Sequence, residues 1–151
     1  MRSLLRLLGW IGISFVPGAV GAPFTAPDWY RRLDKPAWAP PGSVFGPVWT
    51  LLYVLMGVAA WRVSAAGERG RGALRLFGLQ LVLNGAWTPI FFGLRQPGLA
   101  FAEIVATWLA IVATVAAFAR TRLVAGLLLL PYLAWVTFAT ALNWSIWRRN
   151  R

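Results

Sequence analysis

Residues 123–147 read LVAGLLLLPYLAWVTFATALNWSIW, twenty-five positions without a charged side chain. A helix needs about 20 predominantly apolar residues to cross the hydrocarbon core of a bilayer. Four other stretches have a similar length, three without charge and one with a single acid, Glu103; they cover residues 7–27, 36–61, 76–94 and 96–119. The sequence therefore predicts an all-α integral membrane protein, a bundle of five transmembrane helices.

The connections divide into three short links and one long link. We place the helices at about residues 4–21, 43–65, 74–94, 98–119 and 123–147, within a single domain of residues 1–151. The long link, residues 22–42, contains five prolines together with Trp29, Tyr30 and Trp38. Proline interrupts helices, and this much aromatic surface is unusual in a solvated linker. We expect the link to fold back over the bundle as a lid.

The charged and reactive residues exclude several classes of protein. Fifteen Lys and Arg against four Asp and Glu give a net charge of +11, and the chain has no Cys and no His. Disulfides, Cys/His zinc sites and haem ligated by His or Cys are therefore excluded, and no metal or required cofactor is predicted. The basic residues flank apolar spans, so the expected surroundings are membrane lipid, and nucleic acid is not an expected partner.

Membrane orientation stays open, because eight basic residues fall on one side of the five predicted helices and seven on the other. A single Lys, Lys35, among the fifteen basic residues, with abundant Ala, Gly and Leu, is typical of a bacterium with a GC-rich genome. The expected location is a bacterial cell membrane.

Three helices carry aromatic side chains on one face, at the spacing of helical turns. These faces hold Trp49 and Tyr53 on the second helix, Asn84, Trp87 and Phe91 on the third, and Tyr132, Trp135 and Ala139 on the fifth. Such faces suit a flat, largely apolar ligand, but the same spacing is as typical of plain packing between helices. For Asn84 and Asn143 the pattern favours hydrogen bonds between helices, because a polar side chain in hydrocarbon needs a partner.

Glu103 is the one acid inside a predicted helix and leaves two interpretations open. It lies near a helix N-terminus, where the helix dipole stabilises a carboxylate and Arg95 is within reach, which favours a structural role. The alternative is a proton-coupled small-molecule exporter in which Glu103 carries the proton.

Residues 29–61 read WYRRLDKPAWAPPGSVFGPVWTLLYVLMGVAAW, a string that resembles the TspO/MBR family of tryptophan-rich sensory proteins and translocator proteins, also called the peripheral benzodiazepine receptor family. LNGAWTPIFFGL at residues 83–94 and PYLAWVTFATALNW at residues 131–144 match the family in the same order. The resemblance implies a five-helix homodimer with a ligand cavity under the first loop. It also implies porphyrin or haem as ligand, with sterol-like or other hydrophobic molecules as further candidates.

Residues of the family's motifs carry over onto this chain and largely coincide with the aromatic faces. The predicted ligand-binding residues are Tyr30, Trp38, Pro41, Phe45, Trp49, Tyr53, Asn84, Trp87, Phe91, Trp135 and Ala139. Two positions depart from the family's pattern: Ser43 stands where many relatives have Trp, and Trp144 stands where the sterol motif of animal members has Tyr. Cholesterol as the native ligand is therefore unsupported.

The resulting hypothesis is a membrane receptor or carrier for tetrapyrroles with a sensory role, in which Arg31, Arg32 or Lys35 pairs with the propionates. An alternative is a light-dependent porphyrin-degrading enzyme with Trp49 and Trp135 as redox partners; no residue pattern provides a firm catalytic group. The expected homodimer uses the third helix, where Gly78 and Gly85 lie close to one face.

Overall fold

The structure is a computed structural model that describes residues 1–151. Its eight α-helices are α1 (Arg2–Ser14), α2 (Val16–Gly21), α3 (Pro27–Arg32), α4 (Phe45–Ser64), α5 (Glu68–Thr88), α6 (Pro97–Thr121), α7 (Leu123–Leu128) and α8 (Leu130–Arg149). They form five segments long and apolar enough to cross a membrane: Arg2–Phe24, Gly42–Ser64, Glu68–Gly93, Pro97–Thr121 and Leu123–Arg149. The predicted all-α fold with five membrane spans is confirmed.

Two of the five spans are broken near a proline. Phe15 separates α1 from α2 two positions before Pro17, and Leu129 separates α7 from α8 two positions before Pro131. Proline has no backbone N–H to donate to the preceding turn, and its ring clashes with the carbonyl there. The first and last spans therefore each consist of two helical pieces.

The third span begins at Glu68, not at residue 74 as the hydrophobic pattern indicates. Gly67, with φ of 62°, makes the tight turn out of α4. A Cβ on Gly70 would meet the backbone carbonyl of Val63, so glycine lets the first turn of α5 approach the end of α4. Because this turn is rich in Gly and Arg, hydrophobic periodicity could not reveal it.

The long link, residues 22–42, contains the helix α3, which the proline-rich composition did not predict. Pro27 occupies its first turn, where a missing N–H costs nothing. At the other end Lys35 Nζ donates to the carbonyls of Tyr30 (2.8 Å) and Leu33 (3.1 Å). The lid is thus a folded segment with its own internal hydrogen bonds.

The two glycines predicted to share a dimer face have different surroundings. A Cβ on Gly85 would lie 3.5 Å from Cα of Pro17, so Gly85 makes room for α2 within the same chain. A Cβ on Gly78 would have no atom within 4 Å, and Val82, one turn further along α5, is 70% exposed. Only Gly78 belongs to the outward face of α5.

A close approach of two spans joins α1 to α4. Met56, Ala59, Ala60 and Val63 on α4 are fully buried, and a Cβ on Gly57 would lie 2.5 Å from Cα of Ile11. Glycine here lets two helix backbones touch, which is a common way for helices to pack inside a membrane.

Gly57→Ala is expected to destabilise the bundle by about 1–3 kcal/mol, because the added methyl group must push α1 away from α4. The measurement is the midpoint of thermal unfolding in detergent. Gly9→Ala on α1 is the control, since nothing lies within 4 Å of its Cβ position. An unchanged midpoint for Gly57→Ala would contradict the close α1–α4 packing.

Candidate ligand-binding site

One aromatic surface lies where α4 faces α8. The ring of Trp49 lies 6.1 Å from the ring of Tyr132, and Phe45 lies 5.8 Å from Trp135. The α4 residues are one turn apart, and the α8 residues also follow one another by about one turn, so the rings meet in successive layers. Tyr53 continues the surface toward α1, with its ring 5.2 Å from Phe15. We call this the α4–α8 wall.

A second aromatic surface joins the end of α5, with the helical turn Pro89–Gly93 that follows it, to the lid. Trp87 and Phe91 stack at 4.7 Å between ring centroids. Trp29 of the lid lies edge-on to Phe91 at 5.5 Å, and Tyr30 lies 5.8 Å from Phe92. We call this the α5–lid wall. Its innermost residue, Phe91, is 1% exposed and is part of the protein core.

The lid also reaches the α4–α8 wall. The ring of Trp38 lies 5.6 Å from Phe138, which itself lies 5.4 Å from Trp135. Trp38 is nevertheless 51% exposed. Pro41 lines an open cleft of about 790 Å³ on the lid, which Tyr30 also lines. The remaining predicted residue, Ala139, is half-buried on α8 against the main core.

Polar side chains tie α5 to α8 at the inner end of these walls. Asn84 Nδ2 donates to the Tyr132 hydroxyl (2.7 Å), which in turn donates to Gln80 Oε1 (2.6 Å). Gln80 is 1% exposed and was not predicted as a site residue. Its position one turn before Asn84, inside an uncharged stretch, was the signal that could have revealed it.

A second set of hydrogen bonds holds Trp87 in place. Its indole Nε1 donates to Asn143 Oδ1 (2.8 Å), and Asn143 Nδ2 donates to the carbonyl of Pro97 (2.8 Å). The expected hydrogen bonds between helices from Asn84 and Asn143 are thus confirmed. Because its N–H already has a partner, Trp87 offers a ligand only the face of its ring.

Three buried donor groups in this region have no hydrogen-bond partner. They are the indole N–H of Trp135, the hydroxyl of Tyr30 and the Nε2 amide of Gln80. Burial raises the pKa of the Tyr30 phenol above its usual value, so the hydroxyl keeps its proton at neutral pH. Buried donors are nearly always paired in native proteins, and an unpaired one is costly. Here they favour a bound group with acceptor atoms.

The basic residues of the lid differ in their availability. Arg31, Arg32 and Lys35 are the three cations considered for pairing with ligand carboxylates. Lys35 Nζ already donates to backbone carbonyls and lies 4.7 Å from the Tyr30 ring centroid, so it is the least available of the three. Arg31 makes only an exposed ion pair with Asp28 at 3.5 Å, which contributes little energy. Arg32 is exposed and makes no ion pair. Arg31 and Arg32 are thus the available cations.

Glu103 is bound from within its own helix. Its Oε1 accepts a hydrogen bond from Thr107 Oγ1 at 2.8 Å, whereas Oε2 is buried without a partner. The expected contact with Arg95 does not form, because Arg95 lies in the turn beyond α5 with a φ of 54° and is exposed. Thr107, one turn along α6, supplies the partner instead.

Comparison with known proteins gives consistent matches over this fold. The model of the TspO/MBR family matches residues 7–148. The chain belongs to the TspO/MBR family. A tryptophan-rich protein TspO from Chlorobaculum tepidum is 42% identical over 99% of this chain and 98% of its own length.

Two further TspO/MBR relatives show how widely the sequence is shared. A tryptophan-rich sensory protein from Cereibacter sphaeroides is 42% identical over 89% of this chain and 84% of its own. The human translocator protein is 44% identical over 81% of this chain and 75% of its own. With five apolar spans and bacterial relatives of this similarity, the TspO/MBR chain is an integral protein of a bacterial membrane.

Asn143→Ala is expected to lower the thermal unfolding midpoint clearly, because it leaves the Trp87 indole and the Pro97 carbonyl without partners. Each buried group left unpaired costs about 1–3 kcal/mol. Thr140→Ala on the same helix is the control, since its hydroxyl bonds only the carbonyl of Val136 in its own helix. Equal midpoints for the two variants would show that the Asn143 bonds do not hold α5, α6 and α8 together.

Proposed function

We propose that the protein is a membrane receptor or carrier for tetrapyrroles with a sensory role. The ligand lies between the α4–α8 wall and the α5–lid wall, with the lid above it. Membership of the TspO/MBR family, whose members include a named sensory protein and translocator proteins, supports a membrane receptor. The side chains of the two walls favour a tetrapyrrole.

The two walls favour a flat ligand with a wide apolar face. Trp49 and Trp135 project from neighbouring helices, and Trp87 with Phe91 offers a stacked pair on the opposite side. Aromatic rings gain most from offset or edge-on contact with another π system. A macrocycle that enters between the walls replaces contacts between the aromatic side chains with contacts between those side chains and its own two faces.

The unpaired indole N–H of Trp135 is the observation that carries the proposal. It lies on the α4–α8 wall next to Phe45 and Phe138, where hydrocarbon supplies no acceptor. A ligand with carboxylate oxygens at its rim satisfies it. Arg31 and Arg32, at the membrane surface, are placed for carboxylates such as the propionates of a porphyrin.

Metal-free porphyrin and haem are expected to bind with similar affinity. With no His and no Cys, the chain lacks the usual strong ligands for haem iron. Binding energy therefore comes from the macrocycle faces and the carboxylates, which both molecules share.

Trp38→Ala is expected to weaken binding of protoporphyrin IX by about 1–3 kcal/mol, the usual loss for an aromatic contact in a closed site. Quenching of tryptophan fluorescence during titration in detergent measures it. Trp61→Phe, near the far end of α4, is the control and keeps the parent affinity. If protoporphyrin IX does not quench the parent protein, the proposed function is wrong.

We propose that the protein forms a homodimer through the outward face of α5. Gly78, Leu79 and Val82 support this choice, because an open glycine beside exposed apolar side chains permits close contact of two backbones. Gly85 plays no part in this face, since it contacts Pro17 in the same chain.

Gly78→Leu is expected to reduce the dimer fraction in detergent, measured by cross-linking or light scattering, because the larger side chain keeps two α5 helices apart. Ala106→Leu places the same side chain on the exposed surface of α6 and serves as the matched control. A loss of dimer in the α6 variant alone would move the interface to α6.

A further inference from the structure

The side chain of Asn150 joins the end of α8 to the middle of the lid. The backbone N–H of Asp34 donates to Asn150 Oδ1 at 2.9 Å, and Asn150 Nδ2 donates back to the carbonyl of Asp34 at 2.8 Å. The second hydrogen of Nδ2 bonds the carbonyl of Ile146 in α8 at 2.7 Å. This arrangement, which we call the latch, uses the full hydrogen-bonding capacity of the amide NH₂.

The latch provides the only hydrogen bonds from a side chain that connect the lid to another part of the protein. Thr25 and Lys35 bond carbonyls within residues 22–42. The lid also packs on the bundle through the rings of Trp29, Tyr30 and Trp38 and through Leu33 and Ala39, and Asp34 makes an exposed ion pair with Arg149. Aromatic contacts tolerate sliding, whereas a pair of directional hydrogen bonds fixes one position of the backbone.

Asp34 lies where the two halves of the lid meet. The half before it contains α3, whose end is closed by Lys35, and the half after it contains Trp38. Leu33, between α3 and Asp34, has extended backbone angles (φ −68°, ψ 142°). A fixed point at Asp34 therefore holds the first half over α5 and the second over α8.

We infer that Asn150 is a positioning residue that keeps the lid closed and sets how fast a ligand enters and leaves the aromatic site. The part that concerns ligand exchange rests on the proposed function. Asn150 lies outside both aromatic walls, so the latch is present in the closed lid with or without a ligand. Its loss favours opening in both states, which raises the association and dissociation rates by the same factor and leaves Kd unchanged.

The ion pair beside the latch has a smaller part. Arg149 and Asp34 lie 3.6 Å apart, but their side chains are 45% and 62% exposed, so water and salt screen the attraction. Arg149→Ala removes this ion pair and keeps both amide hydrogen bonds. It is therefore the matched control for Asn150→Ala on the adjacent residue.

The first measurement needs no ligand. Trypsin cleaves after Arg31 and Arg32 when the lid opens, and neither variant changes the sequence around these sites. We expect Asn150→Ala to be cleaved about tenfold faster than the parent, the scale set by losing two hydrogen bonds, and Arg149→Ala at close to the parent rate. Equal cleavage of Asn150→Ala and parent would overturn the latch.

A second variant separates opening of the lid from fraying of α8. The chain has no Cys, so the double variant Asp34→Cys, Asn150→Cys can be joined by a short bis-methanethiosulfonate linker without background labelling. The linked protein is expected to be cleaved more slowly than the same protein after dithiothreitol releases the link. Equal cleavage rates for the linked and the reduced protein would contradict the inference.

Stopped-flow quenching with protoporphyrin IX gives the ligand readout. Asn150→Ala is expected to raise both rate constants about tenfold with Kd within a factor of two, and the link is expected to slow both. A Kd that rises with an unchanged association rate would instead make Asn150 part of the binding site. Failure of the parent to bind porphyrin would refute the proposed function, while the proteolysis results would still decide the latch.

Discussion

The arrangement of the site depends on the hydrogen bonds made by the side-chain amide of Asn143. Its oxygen accepts from Trp87 of α5, and its nitrogen donates to the Pro97 carbonyl at the start of α6. Inside hydrocarbon no water competes for these groups, so each must find its partner within the protein. One residue of α8 thereby fixes two neighbouring spans, and with them the orientation of the α5–lid wall.

The sequence was informative wherever hydrocarbon imposes a simple rule. Uncharged stretches of sufficient length predicted five spans, and the need to pair polar groups predicted that Asn84 and Asn143 bond other helices. The breaks at Phe15 and Leu129 also follow from nearby prolines. These outcomes depend on composition and on one residue at a time.

Features that depend on contacts between separate helices could not be predicted from the sequence. The early start of α5 rests on Gly70 facing Val63, and the divided roles of Gly78 and Gly85 rest on where α2 lies. Each outcome is decided by a neighbour that spacing along the chain does not identify.

The need to pair polar groups inside hydrocarbon organises the bundle and also determines which groups the site can offer a ligand. Polar groups that bond one another, such as Asn84, Tyr132 and Gln80, hold the helices together. The donors left over, above all the Trp135 indole, are the ones available to recognise a ligand. The proposed tetrapyrrole matches these unpaired donors and the two aromatic walls, because it is flat and carries acceptor atoms.

The most direct test is an NMR spectrum of the indole N–H groups in protein labelled with ¹⁵N-tryptophan, recorded with and without protoporphyrin IX. Ten tryptophans give ten indole signals, assigned by single Trp→Phe variants. We expect large shifts for Trp135 and Trp49, from a new hydrogen bond and the porphyrin ring current, and little change for Trp61. Shifts confined to Trp108 and Trp144, on the outer face of α6 and α8, would contradict it.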